Sequence, residues 1–297
     1  MGGPPWLNPE AQKGVVARDG DVWIAVPVKS GTNWMMNIVH QLLSGGSADF
    51  DSIYRVVAWP EFVERPGQDP REVLARIAAM PTGQRRAFKT HDGPPGLPFF
   101  KAGSGKDVRY VVVSRNPEEA LVSFKLFLDQ HTDAWYDLWK VPRGAMTRPD
   151  FETWFREVAV PKEMAGMFFG PIAAWWPLRR EKNVLFMHFA DMKRDLSAAT
   201  RKVAEFLGAR PTDAEWAKIN EHVSFDWMKR HESKFDTLAN TPVRVLEPGG
   251  MMRKGKTGAS REDGMTDEIA RQVRAMGSKI VRDEAALAWI YGGGDVV

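Results

Sequence analysis

The sequence predicts an α/β fold: a doubly wound parallel sheet in a single domain over residues 1–297, with helical insertions. Three observations lead there. Valine-rich apolar runs alternate with segments of helical spacing, the pattern of consecutive βαβ units. Val22 to Val28 is an almost unbroken apolar run, as a strand buried on both faces is. The joins after such runs carry glycine, hydroxyl and basic residues, at the sheet edge where open α/β folds bind ligands.

Taken in order, residues 1–20 read as an extended N-terminal segment, and Val22 to Val28 as the first strand. From Asn33 onward Trp34, Met35, Ile38, Val39, Leu42 and Leu43 recur at helical spacing, and Gly45-Gly46 ends the pattern. Asp51 to Ala58 reads as an irregular connection. Pro70 to Met80 reads as a helix with Val73, Leu74, Ile77 and Met80 inward. Arg85 to Lys89 is a short strand leading into the loop KTHDGPPG. VRYVVVS, residues 108–114, is the strongest strand. Asn116 then caps, Pro117 suits the first helical position, Glu118 and Glu119 suit the first turn, and a helix runs to about Leu128. Val184 to Phe189 is a fourth strand, and Leu196 to Leu207 is an amphipathic helix closed by Gly208. Before that fourth strand, residues 125–180 form a helical insertion crowded with Trp, Phe and Met. Helical core packing accounts for most of these residues, with a few left over to line an apolar pocket.

Composition sets limits. Across 297 residues, 43% are hydrophobic and 27% charged, ordinary for a soluble chain. Cysteine is absent, which excludes disulfides and thiolate metal sites. The start MGGPPWLNPEAQ has neither the basic nor the apolar region of a signal peptide, and no run reaches membrane-spanning length, so the expected location is cytoplasmic. A net charge of +3 is too small to argue for nucleic acid. The positions of the positive charges are more informative.

Lys29-Ser30-Gly31-Thr32 joins the first strand to the first helix. Unpaired N–H groups and the helix dipole favour an anion there. Gly31 permits close backbone approach, Lys29 adds charge, and Ser30 and Thr32 add hydroxyls. The order is not that of an NTP-binding loop, which needs GxxxxGK[ST]. Lys89-Thr90-His91 and Ser114-Arg115 with Ser123 sit at two further strand ends. Arg253-Lys254-Gly255-Lys256-Thr257-Gly258 is a glycine-punctuated basic loop far along the chain. The remaining histidines, His40, His131, His188, His222 and His231, show no metal-ligand spacing, and no metal site is expected.

These four motifs, over residues 22 to about 260, resemble the cytosolic sulfotransferases, which move a sulfuryl group from 3′-phosphoadenosine 5′-phosphosulfate (PAPS) to a hydroxyl or amine. VKSGTNW is similar to the family's P-loop-like phosphosulfate-binding loop, Lys89-Thr90-His91 to its catalytic strand end, Arg115-Asn116-Pro117 with Ser123 to its 3′-phosphate segment, and RKGKTG to its closing loop. The resemblance implies that Lys29 and the backbone from Ser30 to Asn33 hold the 5′-phosphosulfate. It makes His91 the general base and sets Lys89 beside the transferring group. Arg115, Ser123, Arg253, Lys254 and Gly255 bind the 3′-phosphate, with Ser123 counted among the catalytic group as well. Trp34 and Phe225 stack on adenine. Asn33, Phe189 and Val223 stand where the family has hydroxyl side chains, and Ala259-Ser260 replaces a usual Asp-Trp.

Two alternatives stay beside this reading: a P-loop-type nucleotide phosphotransferase and a non-catalytic nucleotide sensor. The expected acceptor is a small alcohol, phenol or lipid-like molecule, with neither nucleic acid nor membrane span involved. The oligomeric state is not legible, because the family's C-terminal dimerisation motif is not recognisable here.

Overall fold

The valine-rich runs become strands because β-branched side chains fill a pleated surface covered on both faces. The computed structural model describes residues 4–236, 241–252, 258 and 260–296. Its sheet has five parallel strands, β1 (Val22–Ala25), β2 (Val57–Ala58), β3 (Ala87–Thr90), β4 (Arg109–Ser114) and β5 (Val184–His188), in the order β2-β3-β1-β4-β5. β1 is central, with β3 on one side and β4 on the other. The order doubles back about β1, so the carboxyl ends of β1, β3 and β4 open onto the crevice where such sheets hold ligands.

Alternation along each strand divides the interior in two. Trp23, Ala25, Phe88, Tyr110, Val112 and Phe186 face a core covered by the helices Pro117–Asp129 and Gly166–Trp175 and by two C-terminal helices, Asp267–Ile280 and Glu284–Gly292. Val22, Ile24, Ala87, Val111, Val113 and Met187 face the other core, covered by the helices Thr32–Leu43 and Leu196–Leu207. Most of the aromatic insertion is core: Tyr136, Trp139, Phe151, Trp154, Phe155, Phe168, Phe169, Trp175 and Trp176 are all buried.

The capping chemistry is as the sequence predicts. Asn116 accepts from Glu118 N, and Gly208 closes its helix in the left-handed conformation. Two expectations are corrected. The segment read as an irregular connection holds a helical turn, Ile53–Val56, and β2, whose two residues are too few to show a strand period. The N-terminal segment is not extended throughout. Asn8 caps a short helix, Pro9–Lys13, that brings Gln12 into the interior.

At the amino edge of the sheet, opposite the crevice, Arg86 reaches from beside β3 to Asp21 beside β1. Its Nε donates to Asp21 Oδ1 at 2.9 Å and a terminal nitrogen to Oδ2 at 2.7 Å, with both side chains buried. Removing one partner leaves the other charge buried and unpaired. Asp21→Ala is therefore expected to lower the unfolding free energy by about 3–5 kcal/mol, measured by chemical denaturation. A loss below about 1 kcal/mol would mean that the pair carries little of the sheet's stability.

Candidate active site

The loop after β1 turns sharply. Lys29 and Gly31 both have positive φ, 59° and 97°. A left-handed lysine costs about 1–2 kcal/mol. The turn is held by Ser30 N donating to Pro27 O at 3.2 Å and by Arg115 donating to Lys29 O, also at 3.2 Å. A Cβ at Gly31 would lie 2.9 Å from Phe189 Cδ2, so only glycine fits. No side chain caps the Thr32–Leu43 helix, which leaves its first N–H groups and its dipole for an anion. Lys29 Nζ sits 4.2 Å from the centroid of the Phe127 ring.

Lys89 and His91 share one face at the end of β3, as a period of two requires. Lys89 is 2% exposed, and its Nζ lies 2.9 Å from the centre of the Trp59 ring. Burial pulls this ammonium well below its ordinary pKa; Glu61 opposes the fall and Lys29 adds to it. Burial likewise raises the Glu61 carboxyl, against the hydrogen bond from His91 N and the charge of Lys89. His91 Nδ1 is 2.6 Å from Val26 O. A carbonyl only accepts, so Nδ1 carries the proton and Nε2 keeps its lone pair. Burial, then Lys89, holds His91 well below the ordinary histidine range, with the Val26 carbonyl opposing and Lys29 adding a smaller push downward. The ring is neutral at pH 7 and its free nitrogen is basic.

Beyond β4, Arg115 is steered from two sides. Its Nε and a terminal nitrogen donate to Glu119 Oε2 at 3.1 and 3.0 Å, and its guanidinium lies 4.5 Å from the Phe189 centroid. Trp34 Nε1 donates to Val223 O at 2.9 Å, fixing the indole across the crevice from half-exposed Phe225.

One cavity of about 1000 Å³ is lined by Lys29, Gly31, Thr32, Asn33, Trp34, Lys89, His91, Arg115, Ser123 and Phe225. Ser30 is buried off the cavity, with its hydroxyl directed at Val28 O. The amide of Asn33 is spent inward: it donates to Phe235 O at 2.9 Å and accepts from the Tyr54 hydroxyl at 2.8 Å. Arg253, Lys254 and Gly255 lie outside the described residues. Sequence reasoning missed Tyr54, Trp59 and Glu61 around Lys89, and Trp6 and Leu7 at the far end of the cavity. No local motif marks them; an aromatic or acidic residue in an irregular stretch carries no period.

Such a crevice, with an anion-binding helix start, a neutral histidine and two lysines, fits transfer of an anionic group. The sulfotransferase domain family matches residues 19–283, and the chain belongs to this family. Sulfotransferase 1A1 of Mus musculus is 30% identical over 243 residues, 80% of this chain and 77% of that protein. Sulfotransferase 2A1 of Homo sapiens is 28% identical over 243 residues, 82% and 78% of the two chains. Among solved structures, mouse sulfotransferase SULT7A1 complexed with PAP superposes with a TM-score of 0.67 at 20% identity, covering 95% of this chain and 90% of that one. Retinol dehydratase in complex with androsterone and PAP gives 0.62 at 16% identity, covering 92% and 84%.

Gly31→Ala tests the loop. A methyl group there meets Phe189 and forces a left-handed φ on a residue that disfavours it by about 1–2 kcal/mol. Titration with 3′-phosphoadenosine 5′-phosphate (PAP) should show at least tenfold weaker binding. Unchanged affinity would place the anion elsewhere.

Proposed function

We propose that this sulfotransferase uses His91 as the general base and Lys29 and Lys89 as charge-neutralising groups in transfer from PAPS to a small apolar alcohol or phenol. The class of enzyme and the co-substrate are those of the family. The observation that carries it is the fixed tautomer of His91, because binding a nucleotide alone requires no base.

The residues present fit PAPS. The uncapped helix start and the glycine-bounded turn suit its 5′-phosphosulfate, Arg115 and Ser123 its 3′-phosphate, and the indole of Trp34 with Phe225 its base. The co-substrate supplies an electrophilic sulfur on a phosphate leaving group. The chain supplies the rest. His91 Nε2 takes the proton of the acceptor hydroxyl as its oxygen bonds to sulfur, while the bond from sulfur to the 5′-phosphate oxygen breaks. Lys29 and Lys89 offset the negative charge that moves onto that leaving oxygen, in a water-poor site where such donors are most effective. The acceptor end of the cavity, walled by Leu7, Phe127, Trp135 and Met146, is apolar and favours apolar rings over sugars.

Isothermal titration tests the nucleotide half. PAP should bind tightly without metal, and ATP with magnesium weakly; the reverse order would sink the reading in favour of a phosphotransferase. His91→Ala should leave PAP affinity within about threefold and lower kcat by about 100 to 10,000-fold. The sign of the pH dependence follows from the lowered His91 pKa. The active form is the neutral one, so kcat/KM should stay level from pH 8 down through about 6.5, the ordinary histidine value, and fall only below it. A midpoint at or above the ordinary value would remove His91 from the role.

A further inference from the structure

One polar group in the apolar end of the cavity has no part in the chemistry above. His131 is 4% exposed and lines the cavity, among Leu7, Phe127, Leu128, Trp135 and Met146. Its Nδ1 lies 3.0 Å from Phe127 O, so Nδ1 carries the proton and Nε2 presents a lone pair. Nε2 makes no hydrogen bond among the described residues. The ring cannot readily turn away. It is held between Phe127 at 4.7 Å and Trp135 at 4.3 Å, and the backbone beneath it is fixed as well: the main-chain N–H of His131 donates to Leu128 O at 3.3 Å and its main-chain carbonyl accepts from Arg143 at 3.1 and 2.7 Å. Burial lowers its pKa to about 4, so the ring is neutral at pH 7 and its Nε2 is an acceptor only.

We propose that His131 Nε2 is a specificity-determining hydrogen-bond acceptor at the far end of the acceptor pocket. It selects molecules that carry a second hydroxyl or N–H donor remote from the hydroxyl that is sulfated. This rests on the sulfotransferase reading of the cavity. The position follows from the same aromatic stack. Lys29 Nζ lies over the Phe127 ring at 4.2 Å, and that ring lies 4.7 Å from His131, so one aromatic ring lies between Lys29 and His131. A wholly apolar acceptor would strip water from Nε2 and return nothing, the situation in which a site rejects the analogue lacking a hydroxyl. A carboxylate at that end would set lone pair against lone pair.

The test measures kcat/KM with PAPS for 4,4′-dihydroxybiphenyl, 4-phenylphenol and 4′-hydroxybiphenyl-4-carboxylate. The wild-type protein should prefer the diol over the mono-ol by about tenfold or more, beyond the factor of two that equivalent hydroxyls supply, and should disfavour the acid. His131→Phe should collapse the diol preference to that factor of two. His131→Gln, which keeps an acceptor at the same reach, should retain most of it. PAP titration and thermal melting establish that both variants are folded. Transfer without a diol preference, or a preference that survives in His131→Phe, overturns the role of His131 and leaves the sulfotransferase reading standing. Absence of transfer to all three acceptors by wild-type protein, with PAP still bound, overturns both the role of His131 and the phenol-acceptor reading of the cavity.

Discussion

An ammonium taken out of water has to be compensated by the protein around it, and at the end of β3 much of the site is arranged about Lys89. The face of Trp59 covers its Nζ, and Glu61 supplies the opposing charge. Glu61 is in turn held by its neighbours. Its Oε1 accepts from His91 N at 3.0 Å and shares the Thr90 hydroxyl proton with Gln12, at 3.1 and 2.9 Å respectively. Gln12 then donates to Asp92 at 3.0 Å and to Gly96 O at 3.1 Å. A short N-terminal helix, the strand end and the loop beyond it therefore form one polar network, in which displacing a single group leaves others unsatisfied.

The same arrangement sets the charges. Burial pushes Lys89 and Glu61 toward their neutral forms, while each favours the charge of the other. Burial keeps the His91 ring neutral, with Lys89 and, less, Lys29 adding to it. An anion arriving at the loop after β1 adds negative charge near both lysines. That favours a protonated Lys89 and raises the basicity of His91, so anion binding and proton uptake are linked.

What was legible in the sequence was the part carried by neighbours along the chain. Lys29 to Thr32, Lys89 to His91, the Asn116 cap and the glycine stop at 208 each pair a local motif with a local geometry. The strands β1, β3, β4 and β5 were readable because burial on both faces makes apolar runs. β2 was not, because two residues show no period. Trp59, Glu61, Trp6 and His131 belong to the site only through contacts across the fold, and spacing does not encode those contacts. Asn33 shows the converse. It stands within the motif and lines the cavity, yet its amide is already bonded to Tyr54 and Phe235.

Phe189 and Val223 stand where the resemblance calls for hydroxyls, and their loss reads from sequence as weaker hold on the nucleotide. Their surroundings give a different account. Val223 is buried, and its backbone carbonyl is the partner of Trp34 Nε1, a contact indifferent to side-chain chemistry. Phe189 packs against the loop at Gly31, meets Trp34 edge-on at 5.5 Å and lies beneath Arg115. A tyrosine hydroxyl would add one donor. The bare ring instead presents its face to a guanidinium already steered by Glu119, an attraction worth about 0.5–2 kcal/mol and comparable to a single neutral hydrogen bond. Orientation of the Arg115 charge is thus secured by an apolar surface and a carboxylate, with no hydroxyl needed for it.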